Sequence, residues 1–200
     1  MNFNNLSKNK MIILASESPR RAELLRQIGL KFEIRPSAVD EGKEPKESLE
    51  NYVKRVALSK AEKAADTCMG ERPFAPTVII AADTIVILSK KRLGKPESPE
   101  SAIAMLNKLS GKCHKVMTGL AVIDTQTGKK KTKIVATKVW FKRLTAEEIA
   151  DYARSGEPLD KAGGYGIQGK AAVFVKKIEG DYFNVVGLPL NTLYEILAAM

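Results

Sequence analysis

The feature that most constrains the fold is a short apolar run that leads directly into a helix start. Residues 11–15 are apolar throughout, which is typical of a buried strand. Ser18 has the residue type of an N-cap, Pro19 fits the first helical position, and apolar residues then recur at helical spacing until Gly29. A strand, a tight connection and a helix in this order indicate helices that pack on a sheet.

The rest of the chain continues as a mixture of helices and strands. We predict helices over 47–65, 99–109 and 145–154, and a last one from Pro189. We predict strands over 31–35, 78–88, 115–124, 134–141, 171–178 and 182–186, the last two paired across residues 179–181. Strands alternate with helices early and hairpins dominate late, so we expect an α/β fold with a mixed sheet.

Composition excludes several classes of protein. The 200 residues are 44% hydrophobic and 28% charged, a balance foreign to disordered tails and fibres. Cys68 and Cys113 are too few for a disulfide framework, and with His114 as the only histidine they cannot complete a four-ligand zinc site. Because strand neighbours face opposite sides, Cys113 and His114 make a poor nucleophile–base pair, and we expect a structural role for His114.

No targeting segment is recognisable in the first residues. Residues 1–10 are polar and Asn-rich, and the five apolar residues after them are fewer than the roughly 7–15 of a secretory signal or the about 20 of a membrane span. No repeat or Pro/Ser-rich linker divides the rest. We expect a polar extension over 1–10, a single domain over 11–200, a cytoplasmic location and no membrane partner.

The formal net charge of +10 is concentrated in one part of the chain. A positive balance favours an anionic partner, and nucleic acid, acidic lipid and phosphorylated metabolites all qualify. Most of the excess lies within 101–150, on a predicted hairpin, and we interpret it as a solvated face. The residues that carry it are Lys129, Lys130, Lys131, Lys133, Lys138, Lys142 and Arg143.

Two arginines at the first helix start form the first unusual segment. Arg20 and Arg21 fall in the first turn, where the helix dipole favours acidic residues instead. An anion held by the free backbone amides and both guanidinium groups would explain them. The alternative is that both side chains point into solvent.

The second unusual residue is Asp83, inside the apolar run 78–88. Burying a lone carboxylate is unfavourable unless it is paired or bound to metal. Such a carboxylate can bind a divalent ion and accept a proton from water. The alternative is an aspartate that caps a turn at a strand end or a bulge.

The third unusual segment is rich in glycine. Four of the 14 glycines lie within Asp160-Lys161-Ala162-Gly163-Gly164-Tyr165-Gly166-Ile167-Gln168-Gly169. Glycine lets the backbone approach a ligand closely, and the polar side chains supply donors and acceptors. The pattern matches neither a Walker P-loop nor the dinucleotide fingerprint, so an irregular loop is the alternative.

Other charged residues are less informative by themselves. Asp40, Glu41 and Lys60 are typical of surface charge, and Lys95 follows a glycine in a turn that could present it to phosphate. Together, the unusual segments indicate phosphoanhydride or phosphoester chemistry, with carboxylates for a metal and basic residues for polyphosphate. They do not indicate a particular nucleobase.

Six ordered segments resemble the Maf family of nucleoside triphosphate pyrophosphatases. They are Ala15-Ser16-Glu17-Ser18-Pro19-Arg20-Arg21, Ala82-Asp83-Thr84, Gly94-Lys95-Pro96, Leu109-Ser110-Gly111, Thr118-Gly119 and the glycine-rich segment 160–169, and the match continues to Val185-Val186-Gly187-Leu188-Pro189-Leu190. The resemblance implies hydrolysis of a nucleoside triphosphate to monophosphate and pyrophosphate with a divalent metal, Mg²⁺ or Mn²⁺. It also implies a homodimer and an inosine-triphosphatase-like α/β fold, with a mixed sheet, flanking helices and two lobes around a deep cleft.

The resemblance also implies roles for individual residues. Asp83 would accept the proton of the attacking water and, with Glu41, hold the metal, while Lys60 and Lys95 lie beside the phosphates. The implied substrate-binding residues are Ser16, Arg20, Arg21, Thr84, Lys161 and Gln168.

Three residues and one loop bear on which nucleobase the substrate carries. Arg20, Thr84, Gln168 and the loop 165–169 are similar to the family branch that hydrolyses dTTP and UTP, and the Gln168 amide offers both a donor and an acceptor to the imide of thymine or uracil. One alternative substrate is 7-methyl-GTP or a noncanonical purine triphosphate. An alternative of another class is a division-regulating or nucleic-acid-binding protein, which would use the basic hairpin.

Overall fold

The computed structural model describes residues 10–71 and 76–200, so the predicted extension over 1–10, apart from Lys10, lies outside the described residues. The strands are β1 Met11–Leu14, β2 Glu33–Ile34, β3 Thr77–Leu88, β4 Lys91–Leu93, β5 Cys113–Asp124, β6 Lys130–Phe141 and β7 Val175–Glu179. The helices are α1 Pro19–Gln27, α2 Leu49–Glu71, α3 Pro99–Leu109, α4 Ala146–Arg154, α5 Tyr182–Val186 and α6 Leu190–Ala198. Short 3-10 segments cover Ala162–Gly164 and Lys170–Phe174.

The strands form one mixed sheet, which confirms the predicted fold class. Its order is β2-β1-β3-β5-β6-β7, and β4 pairs with β3 off this path. β1 is parallel to both β2 and β3, whereas the β3–β4 and β6–β7 pairs are antiparallel. The early alternation of strands and helices therefore gives the parallel part of the sheet, and the later chain gives the antiparallel part.

The chain divides into two compact units. The first comprises the described residues up to Asp83 together with Thr118–Val135 and Gly187–Met200, and the second comprises Thr84–Met117 and Ala136–Val186. Each unit has its own apolar cluster: one face of α2 and strands β1, β3 and β5 in the first, and an aromatic cluster around Phe141 in the second. The deep cleft implied by the resemblance stays a prediction.

Helix α2 packs unusually closely on β5 in the first unit. Its inward face is built from small residues, and they are Ala57, Ala61, Ala64, Ala65 and Cys68. A Cβ added at Gly119 would lie 2.2 Å from the carbonyl oxygen of Val53, so only glycine fits there. The Thr118-Gly119 segment thus fixes how near α2 lies to the sheet.

Most predicted elements are confirmed, and α1 shows why. Ser18 is the N-cap, Pro19 opens the helix, and Gly29 follows its end with a φ of 73°, which glycine adopts without strain. The strand predicted over 31–35 shortens to two residues, and β4 was not predicted.

The strand predicted over 182–186 is wrong, and so is its hairpin with 171–178. Residues 182–186 form helix α5, and β7 pairs with β6 instead. The Asp181 carboxylate accepts hydrogen bonds from the backbone amides of Phe183 at 2.7 Å and Asn184 at 3.2 Å, which starts a helical turn. This cap overrides the strand preference of a β-branched and aromatic segment.

The basic hairpin is exposed, as predicted, and several of its charges are paired. Lys130 lies 2.6 Å from Glu62, Lys138 lies 2.9 Å from Glu179, and Lys142 pairs with Glu148. These carboxylates offset much of the positive field of this face.

Both cysteines are free thiols: Cys68 is buried and Cys113 is exposed. No helix in the described part of the chain has the length and apolar character needed to span a membrane.

Candidate active site

The residues singled out in the first unit lie beyond the point where the parallel pairing of β1 with its neighbours ends. β1 ends at Leu14, opposite Ile80 of β3, so the segment that begins at Ser16 leaves the sheet there. β3 continues past this point to Asp83, and the loop that carries Glu41 follows β2. Since ligands of α/β sheets bind beyond the carboxyl ends of strands, the topology places these segments where a site is expected.

Lys60 of α2 joins two carboxylates. Its Nζ lies 2.9 Å from Asp83 Oδ1 and 2.6 Å from Glu41 Oε1. Asp83 is 7% exposed, and the Lys60 side chain is 13% exposed. Lys60 is therefore not an ordinary surface charge. Of the four residues to which the resemblance gives catalytic roles, Asp83, Glu41 and Lys60 meet in space, and Lys95 belongs to the second unit.

Helix α2 also holds the loop that carries Glu41. The Tyr52 hydroxyl donates to the Glu41 carbonyl oxygen at 2.9 Å, and Arg55 donates to the Gly42 carbonyl oxygen at 2.7 Å. Arg55 donates to both carboxylate oxygens of Glu47, and this hydrogen bonding is the main cause that holds the pKa of Glu47 below its ordinary value. These contacts bring Glu41 to Lys60 although the loop has no regular structure of its own.

A second contact set surrounds the start of α1. Arg21 donates from Nη1 to the Ser16 hydroxyl at 3.1 Å and from Nε to the Gly187 carbonyl oxygen at 2.8 Å. The Ser16 hydroxyl also accepts the Ser18 amide at 3.2 Å, and the Ser18 side chain itself makes no cap hydrogen bond. Arg21 is thus held in place by protein contacts, with Arg20 beside it in the same turn.

The electrostatics link Arg21 to the carboxylates. Burial lowers the pKa of Arg21 from its ordinary value, and the charges of Asp83 and Glu41 act in the opposite direction. Arg20 lowers it further. Arg21 and Lys60 therefore interact with the same two carboxylates and balance their charge, and Arg20 adds a further positive charge that favours a polyanion.

The second unit holds the other predicted site residues. Thr84 follows Asp83 along β3 and is half-buried, and Lys95 is exposed beside a buried Pro96. The Gly163 amide donates to the Gly94 carbonyl oxygen at 2.8 Å, so the glycine-rich segment lies against the Gly94-Lys95-Pro96 turn.

Within the glycine-rich segment the two polar candidates differ. Lys161 Nζ donates to the Glu157 carbonyl oxygen and to Asp160 Oδ1, both at 2.7 Å, and its side chain is 12% exposed. Gln168 is exposed. Lys161 is thus engaged by its own unit, whereas Gln168 faces outward.

The residues that sequence reasoning missed contact the segments that carry the predicted ones. Tyr52 and Arg55 hold the Glu41 loop, and Tyr152 and Glu157 contact the glycine-rich segment. A tyrosine buried in a helix is ordinarily a core residue, and nothing in the spacing of Tyr52 or Tyr152 distinguishes them from other aromatic residues.

The carboxylates suit a hard divalent cation. Among the described residues no group of three or more His, Cys, Asp and Glu side chains converges as a metal cage. Asp83 and Glu41 nevertheless meet at one ammonium group, and Mg²⁺ is commonly held by one or two carboxylates together with substrate phosphates and water. The donor set therefore fits a metal that arrives with a phosphorylated substrate.

Comparison with known proteins identifies the family of the chain. Residues 11–200 match the family model described as Maf-like protein. A relative named dTTP/UTP pyrophosphatase from Desulforamulus reducens is 48% identical over 93% of this chain and 94% of its own. Relatives of the same name from a Geobacillus species and from Shigella dysenteriae are each 48% identical, over 91% and 94% of this chain and 94% and 91% of their own. The chain belongs to the Maf family.

Proposed function

We propose that this protein is a nucleoside triphosphate pyrophosphatase that hydrolyses dTTP and UTP, and modified pyrimidine triphosphates, to the monophosphate and pyrophosphate. The observation that carries the proposal is the buried Asp83 carboxylate, paired with Lys60 and close to Glu41 and Arg21. The names of the relatives, which are similar over nearly the whole chain, support the choice of substrate.

The reaction needs a base, charge neutralisation and a held substrate. Asp83 accepts a proton from a water molecule while the oxygen of that water attacks the α-phosphorus. The α–β phosphoanhydride bond then breaks, and pyrophosphate leaves with the electron pair. Lys60 and Lys95 offset the negative charge that develops on the phosphoryl oxygens. Ser16, Arg20 and Arg21 hold the triphosphate through hydrogen bonds and charge.

A divalent cation belongs to the proposal. Asp83 and Glu41 are the side chains that would hold Mg²⁺ or Mn²⁺, and the ion would supply charge neutralisation at the phosphate oxygens. On the side of the base, Thr84 and Gln168 contact the pyrimidine, and Lys161 lies beside the substrate. A homodimer and a cytoplasmic location complete the proposal.

The test is purified Asp83→Asn beside the wild type and a matched control. Asp66→Asn makes the same change at an exposed position of α2. Loss of a general base lowers rates by about 10²- to 10⁴-fold, so Asp83→Asn should retain at most about one hundredth of kcat with an unchanged circular dichroism spectrum. Ordinary turnover in Asp83→Asn, with Asp66→Asn also normal, would remove Asp83 as the base.

A substrate panel separates the alternatives. Turnover of 7-methyl-GTP or a noncanonical purine triphosphate well above that of dTTP and UTP would overturn the proposed preference for pyrimidine nucleotides. The nucleic-acid-binding alternative is less well supported, because three of the hairpin lysines are paired with carboxylates.

A further inference from the structure

The glycine-rich segment ends in a tight turn that carries the exposed Gln168 and has a buried support. The Gly169 amide donates to the Gly166 carbonyl oxygen at 3.1 Å, which closes a four-residue turn. Ile167 is 7% exposed and anchors one side, and Gln168 stands exposed next to it. The turn therefore decides where the Gln168 side chain is presented.

Two side chains of the same unit bond both ends of this turn. The Gly166 amide donates to the Tyr152 hydroxyl oxygen at 3.2 Å, and that hydroxyl donates to Glu157 Oε1 at 3.1 Å. At the other end the Lys170 amide donates to Glu157 Oε2 at 3.1 Å. One carboxylate thus receives a bond from each side of the turn, directly or through Tyr152.

The fit between carboxylate and turn is close. A Cβ added at Gly169 would lie 2.0 Å from Glu157 Oε1 and 2.6 Å from its Cδ. Tyr152 is 3% exposed and its ring packs edge-on against Phe174, 5.3 Å between centroids, so the hydroxyl has a fixed position. Burial is the main cause that raises the pKa of Tyr152, so the hydroxyl, which is protonated at neutral pH in any case, stays a donor at alkaline pH as well.

We propose that Tyr152 and Glu157 are positioning residues for base recognition: they hold the turn 166–169 so that Gln168 meets the pyrimidine edge in one position. The inference rests on the proposed function. A thymine or uracil edge presents a carbonyl acceptor beside an N–H donor, and a cytosine edge presents the reverse. An amide can satisfy either edge if it moves, so discrimination depends on how firmly the turn carrying Gln168 is held.

Two conservative variants remove the support without emptying the core. Tyr152→Phe deletes only the hydroxyl and so leaves the Gly166 amide without its bond. Glu157→Gln replaces one acceptor oxygen by a donor NH₂, so it cannot accept from both the Tyr152 hydroxyl and the Lys170 amide. Tyr182→Phe and Glu147→Gln make the same chemical changes at exposed positions of this unit and serve as controls.

The experiment measures kcat and KM of the purified proteins for dTTP and dCTP. Loss of one such hydrogen bond should raise KM for dTTP about 3- to 10-fold and lower the dTTP-to-dCTP ratio of kcat/KM by a similar factor, with kcat for dTTP within about 2-fold. The double variant should lose little more than either single one, because both act through one carboxylate. The controls should match the wild type.

Amide hydrogen exchange measured by NMR reports how firmly the turn is held, independently of catalysis. The Gly166 and Lys170 amides should exchange faster in both variants and not in the controls. Unchanged exchange, or variants that lose thermal stability while KM and the nucleotide ratio stay at wild-type values, would overturn the inference. A wild type that hydrolyses no triphosphate would contradict the proposed function and with it the recognition role, while faster exchange in the variants would still report the support of the turn.

Discussion

The buried histidine of the second unit gives a pH dependence of stability that can be calculated. His114 is 3% exposed, its Nε2 lies 2.7 Å from the Tyr165 hydroxyl oxygen, and Phe141 packs edge-on against its ring. Burial lowers the pKa of His114 to about 4, against about 6.5 in the unfolded chain. The folded protein therefore holds a neutral imidazole that the unfolded chain protonates first.

The sign follows from proton binding. Between pH 6.5 and 4 the unfolded chain binds more protons at this residue, so the free energy of unfolding falls as the pH falls. The contribution is fully present above pH 6.5 and is lost by pH 4, after which both states are protonated. The shift corresponds to roughly 3 kcal/mol in total, and about 2 kcal/mol of it is lost between pH 7.5 and pH 5.0.

The chain makes the assay clean, because His114 is its only histidine. Urea unfolding of the wild type and of His114→Gln at pH 7.5 and pH 5.0 gives the free energy of unfolding for each. His114→Gln should be less stable at pH 7.5 and should lose about 2 kcal/mol less on acidification. The carboxylates are common to both proteins and largely cancel. Equal losses in the two proteins would refute the assigned burial of a neutral imidazole.

Two further substitutions test contacts of the first unit. Tyr52→Phe removes the hydroxyl that bonds the Glu41 carbonyl oxygen, so unfolding should be easier by about 1 kcal/mol and a higher Mg²⁺ concentration should be needed for half-maximal turnover; an unchanged Mg²⁺ requirement would show that the bond does not position Glu41. Gly119→Ala places a methyl group against the Val53 carbonyl oxygen and should cost about 3 kcal/mol or more in urea unfolding. Gly94→Ala, where a Cβ meets nothing within 4 Å, should change stability little, and equal effects of the two glycine substitutions would contradict the close packing of α2.

Local signals in the sequence were sufficient for most elements. Pro19 and Gly29 define α1 because helix starts and helix stops act within a few residues, whereas Ser18 holds the N-cap position without a side-chain cap hydrogen bond. A single local contact also explains why the strand predicted over 182–186 is wrong. The Asp181 side chain caps a helical turn in a segment that otherwise favours a strand.

The site was only partly predictable for a different reason. Asp83 could be singled out because a carboxylate inside an apolar strand is unusual by itself. Lys60 could not be separated from surface lysines, since its significance depends on Asp83 and Glu41, which are distant in sequence. Tyr152 is likewise an ordinary core residue until its hydroxyl is seen beneath the glycine-rich turn.

The central claim, attack of water on the α-phosphorus, is tested most directly by isotope position. Hydrolysis of dTTP by the wild-type protein in ¹⁸O-labelled water, followed by mass spectrometry of both products, shows which phosphorus received the water oxygen. Attack at the α-phosphorus gives one ¹⁸O atom in dTMP and none in the pyrophosphate released. Label in pyrophosphate or inorganic phosphate, with unlabelled nucleotide, would contradict it.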